Sequence, residues 1–120
     1  MNPDSVPENV VALPIATKTD LVQYVRGKNG ARVGVVVARN YNGRVTLGWS
    51  AARAPRKNWR GQIVSAGDEF DKGRALEIAF ARTLTGSKVQ PPRPVAKVLA
   101  GFPERAARYY KGAEIVAIGG

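Results

Sequence analysis

The sequence predicts an α+β fold: a small antiparallel β-sheet in the N-terminal half, followed by two helices, the second kinked at Pro103. Three observations predict it. Two short valine-bearing runs, Ala31–Arg39 and Arg44–Ser50, flank the turn signal Asn40-Tyr41-Asn42-Gly43, the pattern of an antiparallel hairpin. Leu76, Ala79, Phe80 and Thr83 then fall at i, i+3, i+4 and i+7, one apolar stripe of a helix. Val95, Val98, Leu99 and Phe102 repeat that spacing in a second segment.

At 120 residues the chain fits one domain with a modest core. Residues 1–18 are rich in Pro, Asn and Thr and read as an extended arm suited to packing on a partner subunit. Residues 19–120 form the single α+β domain. Leu21–Arg26 is a first strand, and Lys28-Asn29-Gly30 turns the chain toward the second. In the third, Val45, Leu47 and Trp49 share one face, opposite Arg44, Thr46 and Gly48.

Ala51–Arg60 (AARAPRKNWR) reads as an exposed basic loop, with Gln62–Ser65 as a short strand leaving it. Asp68 or Asp71 caps the first helix, and Thr85-Gly86 ends it. Pro91-Pro92-Arg93-Pro94 is a stiff connector. The second helix should break or bend at Gly101-Phe102-Pro103, because proline removes a helical hydrogen bond. It resumes over Glu104–Lys111, and Glu114–Ile118 suits a final strand.

The chain has neither cysteine nor histidine. Disulfides, thiolate chemistry and Ser-His or Cys-His nucleophiles are therefore excluded, and zinc or copper sites are disfavoured. Asp68-Glu69-Phe70-Asp71 suits helix capping better than Mg²⁺, since consecutive residues at a helix start rarely converge on one ion. The expectation is a binding protein rather than an enzyme, with no cofactor and no metal. The start Met1-Asn2-Pro3-Asp4-Ser5 lacks a basic region followed by an apolar run, so a cytoplasmic protein without a membrane partner is expected.

The net charge is +10, and it is segregated. Between Leu21 and Gly67 stand nine basic residues (Arg26, Lys28, Arg32, Arg39, Arg44, Arg53, Arg56, Lys57 and Arg60) and no acid. Such a field captures polyanions or nucleotides, or else serves only solubility. In the loop, Arg53, Arg56, Lys57 and Arg60 surround Trp59, cations for phosphates with a ring for stacking on a base. The alternative is a solvated loop with Trp59 tucked into the subunit or an interface. Arg105, Arg108 and Lys111 recur every three residues beside Tyr109 and Tyr110. That arrangement suits a phosphate with a stacked purine, or a wet helix face with a tyrosine core. Arg74 and Arg82 line one face of the first helix in the same way.

Three segments in order, Leu47-Gly48-Trp49-Ser50, Gly67–Arg82 (GDEFDKGRALEIAFAR) and Phe102–Lys111 (FPERAARYYK), resemble small bacteriophage proteins of the first-described Thoeris anti-defence type. The resemblance spans residues 31–111. It implies a nucleotide sponge that binds a cyclic ADP-ribose isomer or a cyclic oligonucleotide without degrading it. It further implies a homo-oligomer with ligand sites between subunits, acting in the host bacterial cytoplasm. The ligand-binding residues it implies are Trp49, Phe70, Arg74, Arg82, Arg105, Arg108 and Tyr109. The segment 51–66 departs from the family pattern in being longer and more basic, which implies a larger or more anionic ligand. A DNA- or RNA-binding protein using the basic 21–67 region is the alternative. A third reading is an inhibitor that docks on an acidic host protein.

Overall fold

A computed structural model describes residues 16, 19–27, 30–52, 56–65, 70–86 and 89–116, with backbone alone at 56, 57 and 63–65. The extended arm expected over residues 1–18, apart from Ala16, lies outside them, as does Arg53.

The fold is α+β. Strands β1 (Leu21–Arg26), β2 (Arg32–Tyr41) and β3 (Arg44–Ala51) form an antiparallel meander. The β2–β3 turn is Asn42-Gly43, with φ of 55° and 93°, the left-handed pair that matches the natural twist of a hairpin. Asn40 tightens it by accepting from the Gly43 N–H at 2.7 Å through its side-chain oxygen. A last strand, β6 (Glu114–Val116), joins the other edge of β3 in parallel. The sheet order is therefore β1-β2-β3-β6, three antiparallel strands with one parallel edge strand.

The valine run of β2 decides the layering. Val35 and Val37 point to one face and Val36 and Ala38 to the other, all fully buried. A strand apolar on both faces needs a cover on each side. Helix α1 (Lys72–Thr85) covers the first face with Ala75, Leu76, Ala79 and Phe80. Helix α2 (Arg93–Tyr109) covers the second, seating Val95, Phe102 and Ala106 on Val45, Leu47 and Trp49.

Asp71 caps α1 by accepting from the Arg74 N–H at 3.1 Å, and Gly86 ends it at φ 76°. α1 lies very close to β3. A methyl group built on Gly48 would stand 2.0 Å from the Ala79 carbonyl oxygen, so only glycine permits this approach.

Three sequence expectations are corrected. Arg93 and Pro94 belong to α2 rather than to a connector, since proline is tolerated in the first turn, where its missing N–H would find no helical partner. The break that was one outcome expected at Gly101-Phe102-Pro103 does not occur: α2 is one helix across Pro103, with Phe102 and Ala106 buried on either side of it. Third, 51–60 is not simply a loop: β4 (Arg56–Lys57) pairs with β5 (Ile63–Ser65) in a separate hairpin.

Candidate functional site

Seating α2 on the sheet fixes what its flank presents. With Val95, Phe102 and Ala106 turned inward, Lys97, Gly101, Arg105 and Arg108 follow one another at helical spacing along the side nearest β1. On β1, Leu21 and Val25 are buried toward α2, and Gln23 between them faces the same helix. Gln23, Lys97, Val98, Gly101, Phe102, Arg105 and Arg108 together line an open groove of about 380 Å³. Arg105 donates to the Gln23 side-chain oxygen, which holds its guanidinium against the strand. Arg108 is paired with Glu104 at 3.3 Å, a solvent-exposed bridge of little energetic weight. Three cations thus converge on a floor that Gly101 leaves open, with nothing within 4 Å of where its methyl group would stand.

Beyond the C-terminal end of α2 lies a second depression of about 470 Å³, lined by Thr19, Asn40, Asn42, Gly43, Tyr109 and Tyr110. The half-exposed Tyr109 ring meets Tyr110 edge-on, with centroids 4.8 Å apart. Tyr110 is buried, and its hydroxyl hydrogen-bonds the carbonyl oxygens of Thr19 and of Ala38, the latter at 3.0 Å. Burial, reinforced by the Asp20 carboxylate, pushes its pKa up to about 12. The sequence left Tyr109 and Tyr110 open between ligand and core. They divide the roles, Tyr110 taking the core and Tyr109 facing the depression.

The other residues implied by the resemblance lie elsewhere. Trp49 is buried toward α2, with the Arg82 guanidinium 4.5 Å from its ring centroid. Arg82 also donates to the Trp49 carbonyl at 2.9 Å, on the stretch of β3 edge that β6 does not cover. Burial lowers the Arg82 pKa. Phe70 packs edge-on against Tyr24, 6.1 Å between centroids, beside α1. Arg74 is exposed on α1. Arg105 and Arg108 therefore share the groove, with Tyr109 at the end of the same helix. Arg74 and Phe70 belong to the opposite face of the sheet, and Arg82, also on α1, reaches the edge of β3 at Trp49.

Not all nine basic residues of the 21–67 stretch contribute to an open field. Arg39 is buried and bidentate to Asp20, at 2.8 and 2.7 Å, with the Phe80 ring 3.9 Å from its guanidinium carbon. Burial opposes its charge, but the bonds and field of Asp20 prevail and raise its pKa. Arg44 faces Glu114 at 3.7 Å. At the other extreme, Trp59 and Arg60 stand out in solvent at the tip of the β4–β5 hairpin.

Gln23, Lys97 and Gly101 were missed by sequence reasoning. The four-residue steps from Lys97 to Gly101 to Arg105 are legible in the sequence and mark one flank, whereas Gln23 joins it only through the packing of α2 on β1. Among the described residues, no group of three or more acidic side chains is placed to hold a metal ion, and no helix is long and apolar enough to cross a membrane. No protein family, curated protein or solved structure matches the chain.

Proposed function

We propose that this protein is a non-catalytic nucleotide-binding protein that sequesters a cyclic nucleotide signal, a cyclic ADP-ribose isomer or a cyclic oligonucleotide, in a bacterial cytoplasm infected by the phage that encodes it. The observation that carries the reading is the α2 groove, where Lys97, Arg105 and Arg108 converge over the bare backbone of Gly101. Guanidinium groups grip phosphate oxygens in pairs, and a lysine adds a mobile point charge. Tyr109, half-exposed beyond the last turn, supplies a ring on which a purine can stack.

Sequestration asks for little more than this. The protein must bind below the working concentration of the signal and be present in excess, and no bond need be broken. An open groove covers only one side of a ligand. The residues on the opposite face, Arg74 and its neighbours, would enter the same site only in a homo-oligomer whose second copy closes the groove. The resemblance of the three sequence segments to the anti-defence sponges implies such an assembly.

Equilibrium dialysis against a panel of cyclic ADP-ribose isomers and cyclic di- and trinucleotides tests the proposal, with the bound fraction recovered by denaturing the protein. One ligand should be retained and recovered chemically intact. Replacing Arg108 by alanine should weaken its retention by about 1–3 kcal/mol, the usual loss for a charge-assisted contact. Recovery of a cleaved product would refute sequestration, and an unchanged affinity in Arg108→Ala would remove the groove from the site.

A further inference from the structure

The β4–β5 hairpin is built around an exposed tryptophan. Trp59 is 87% exposed, while the other tryptophan, Trp49, is 3% exposed and packed in the core. The exposure of Trp59 does not come from a slack loop. Asn58 binds the turn from several sides: its side-chain oxygen accepts the Arg60 and Gln62 N–H groups, each at 3.0 Å. Its backbone N–H reaches the Gln62 carbonyl at 2.9 Å, and Gly61 closes the turn at φ 80°. The tip is thus a hydrogen-bonded turn centred on Asn58. Among the described residues, β4 and β5 pack on each other and on no other element.

The charge of the segment that carries the ring identifies what it meets. The segment 51–66 holds Arg53, Arg56, Lys57 and Arg60 and no acid. Arg60 already lies over one face of the indole, 4.7 Å from its guanidinium carbon to the ring centroid. The opposite face is left for a second flat group. A ring so exposed gives a small ligand no enclosure, but it suits a chain that continues past it, with a base on the indole and phosphates on the flanking cations. We propose that the β4–β5 hairpin is a binding element for single-stranded nucleic acid, with Trp59 as its stacking platform. The element is independent of the α2 groove, and the two can fail separately.

Titrating the intact protein with a 15-nucleotide oligothymidylate, while following tryptophan emission, tests the assignment. Trp49, held in the core, serves as the constant background. Trp59 emission should be quenched; with the oligothymidylate carrying an end label and binding read by its anisotropy, Trp59→Ala should lower the affinity roughly tenfold or more, with Trp59→Phe recovering most of it. Arg60→Ala should reduce the slope of log affinity against log salt by about one. The same titration with inorganic polyphosphate, which has charge but no bases, should leave the emission unchanged. Equal quenching by polyphosphate would overturn the proposal, as would equal binding of a duplex of the same length. An emission that shifts with protein concentration alone would assign the hairpin to a second copy of the chain, and would overturn it too.

Discussion

Replacing Gly48 by alanine tests the closest contact in the fold. The added methyl group would stand 2.0 Å from the Ala79 carbonyl oxygen and 3.0 Å from both the backbone nitrogen and a side-chain methyl of Thr83. The obstacle is backbone, so no rotamer change relieves it. α1 must withdraw from β3 by roughly 1 Å, and a gap of that size forfeits a quarter to a half of each dispersion contact across it. The contacts at stake are those of Ala75, Leu76, Ala79 and Phe80 with Val35 and Val37, and the Tyr41–Thr83 hydroxyl pair at 2.7 Å. We expect a loss of about 3 kcal/mol, the upper end for overpacking, equivalent to a fall in Tm of roughly 15 °C for a domain of this size. Urea denaturation followed by far-ultraviolet circular dichroism measures it. A loss below about 1 kcal/mol would show that α1 does not lie this close to β3.

Three further perturbations separate fold from site. Asp20→Asn leaves the Arg39 guanidinium buried without its counter-charge and should cost about 3 kcal/mol in denaturation, whereas replacing both residues by leucine should recover most of it; a loss below about 1 kcal/mol would mean the pair is open to water. Tyr110 keeps its proton in the folded state up to about pH 12, while in the unfolded chain it ionises near 10. Its contribution is therefore complete below about pH 10 and disappears as the pH climbs to about 12, a fall of about 2–3 kcal/mol that Tyr110→Phe should abolish; identical pH profiles for the two proteins would contradict the buried hydroxyl. Gly101→Ala, in an exposed stretch of α2 with open space around it, should raise stability by about 0.5–1 kcal/mol through helix propensity alone. Because the same methyl group fills the groove floor, this more stable variant should bind nucleotide more weakly, and unimpaired binding would place the ligand elsewhere.

Local signals told the sequence most. The alternation of Val45, Leu47 and Trp49, the Asn42-Gly43 turn and the stripe Leu76, Ala79, Phe80 and Thr83 each depend on neighbours a few residues away, and each element stands where its period placed it. The parallel edge strand β6 and the Asp20–Arg39 pair depend on packing between segments far apart in the chain. Arg39 shows the difference well. In the sequence it is one more cation in a basic stretch, and in the structure it is a buried, ion-paired residue. The groove was half legible, because Arg105 and Arg108 declare themselves by spacing while Gln23 reaches them only after α2 has packed. Trp59 was undecided between a tucked ring and an exposed one. What exposes it is the Asn58-centred turn, a network of Asn58, Arg60, Gly61 and Gln62 whose geometry no period announces.

The most direct test of the sequestration account is a thermal-shift measurement on the purified protein in physiological salt. It would be run against cyclic ADP-ribose isomers, cyclic di- and trinucleotides and short nucleic acids. The account predicts that one cyclic nucleotide, at about 100 times its Kd, raises Tm by roughly 10 °C or more, and that Arg105→Ala and Arg108→Ala reduce the shift. Absence of a shift with every cyclic nucleotide, or a shift that survives both substitutions, would contradict it.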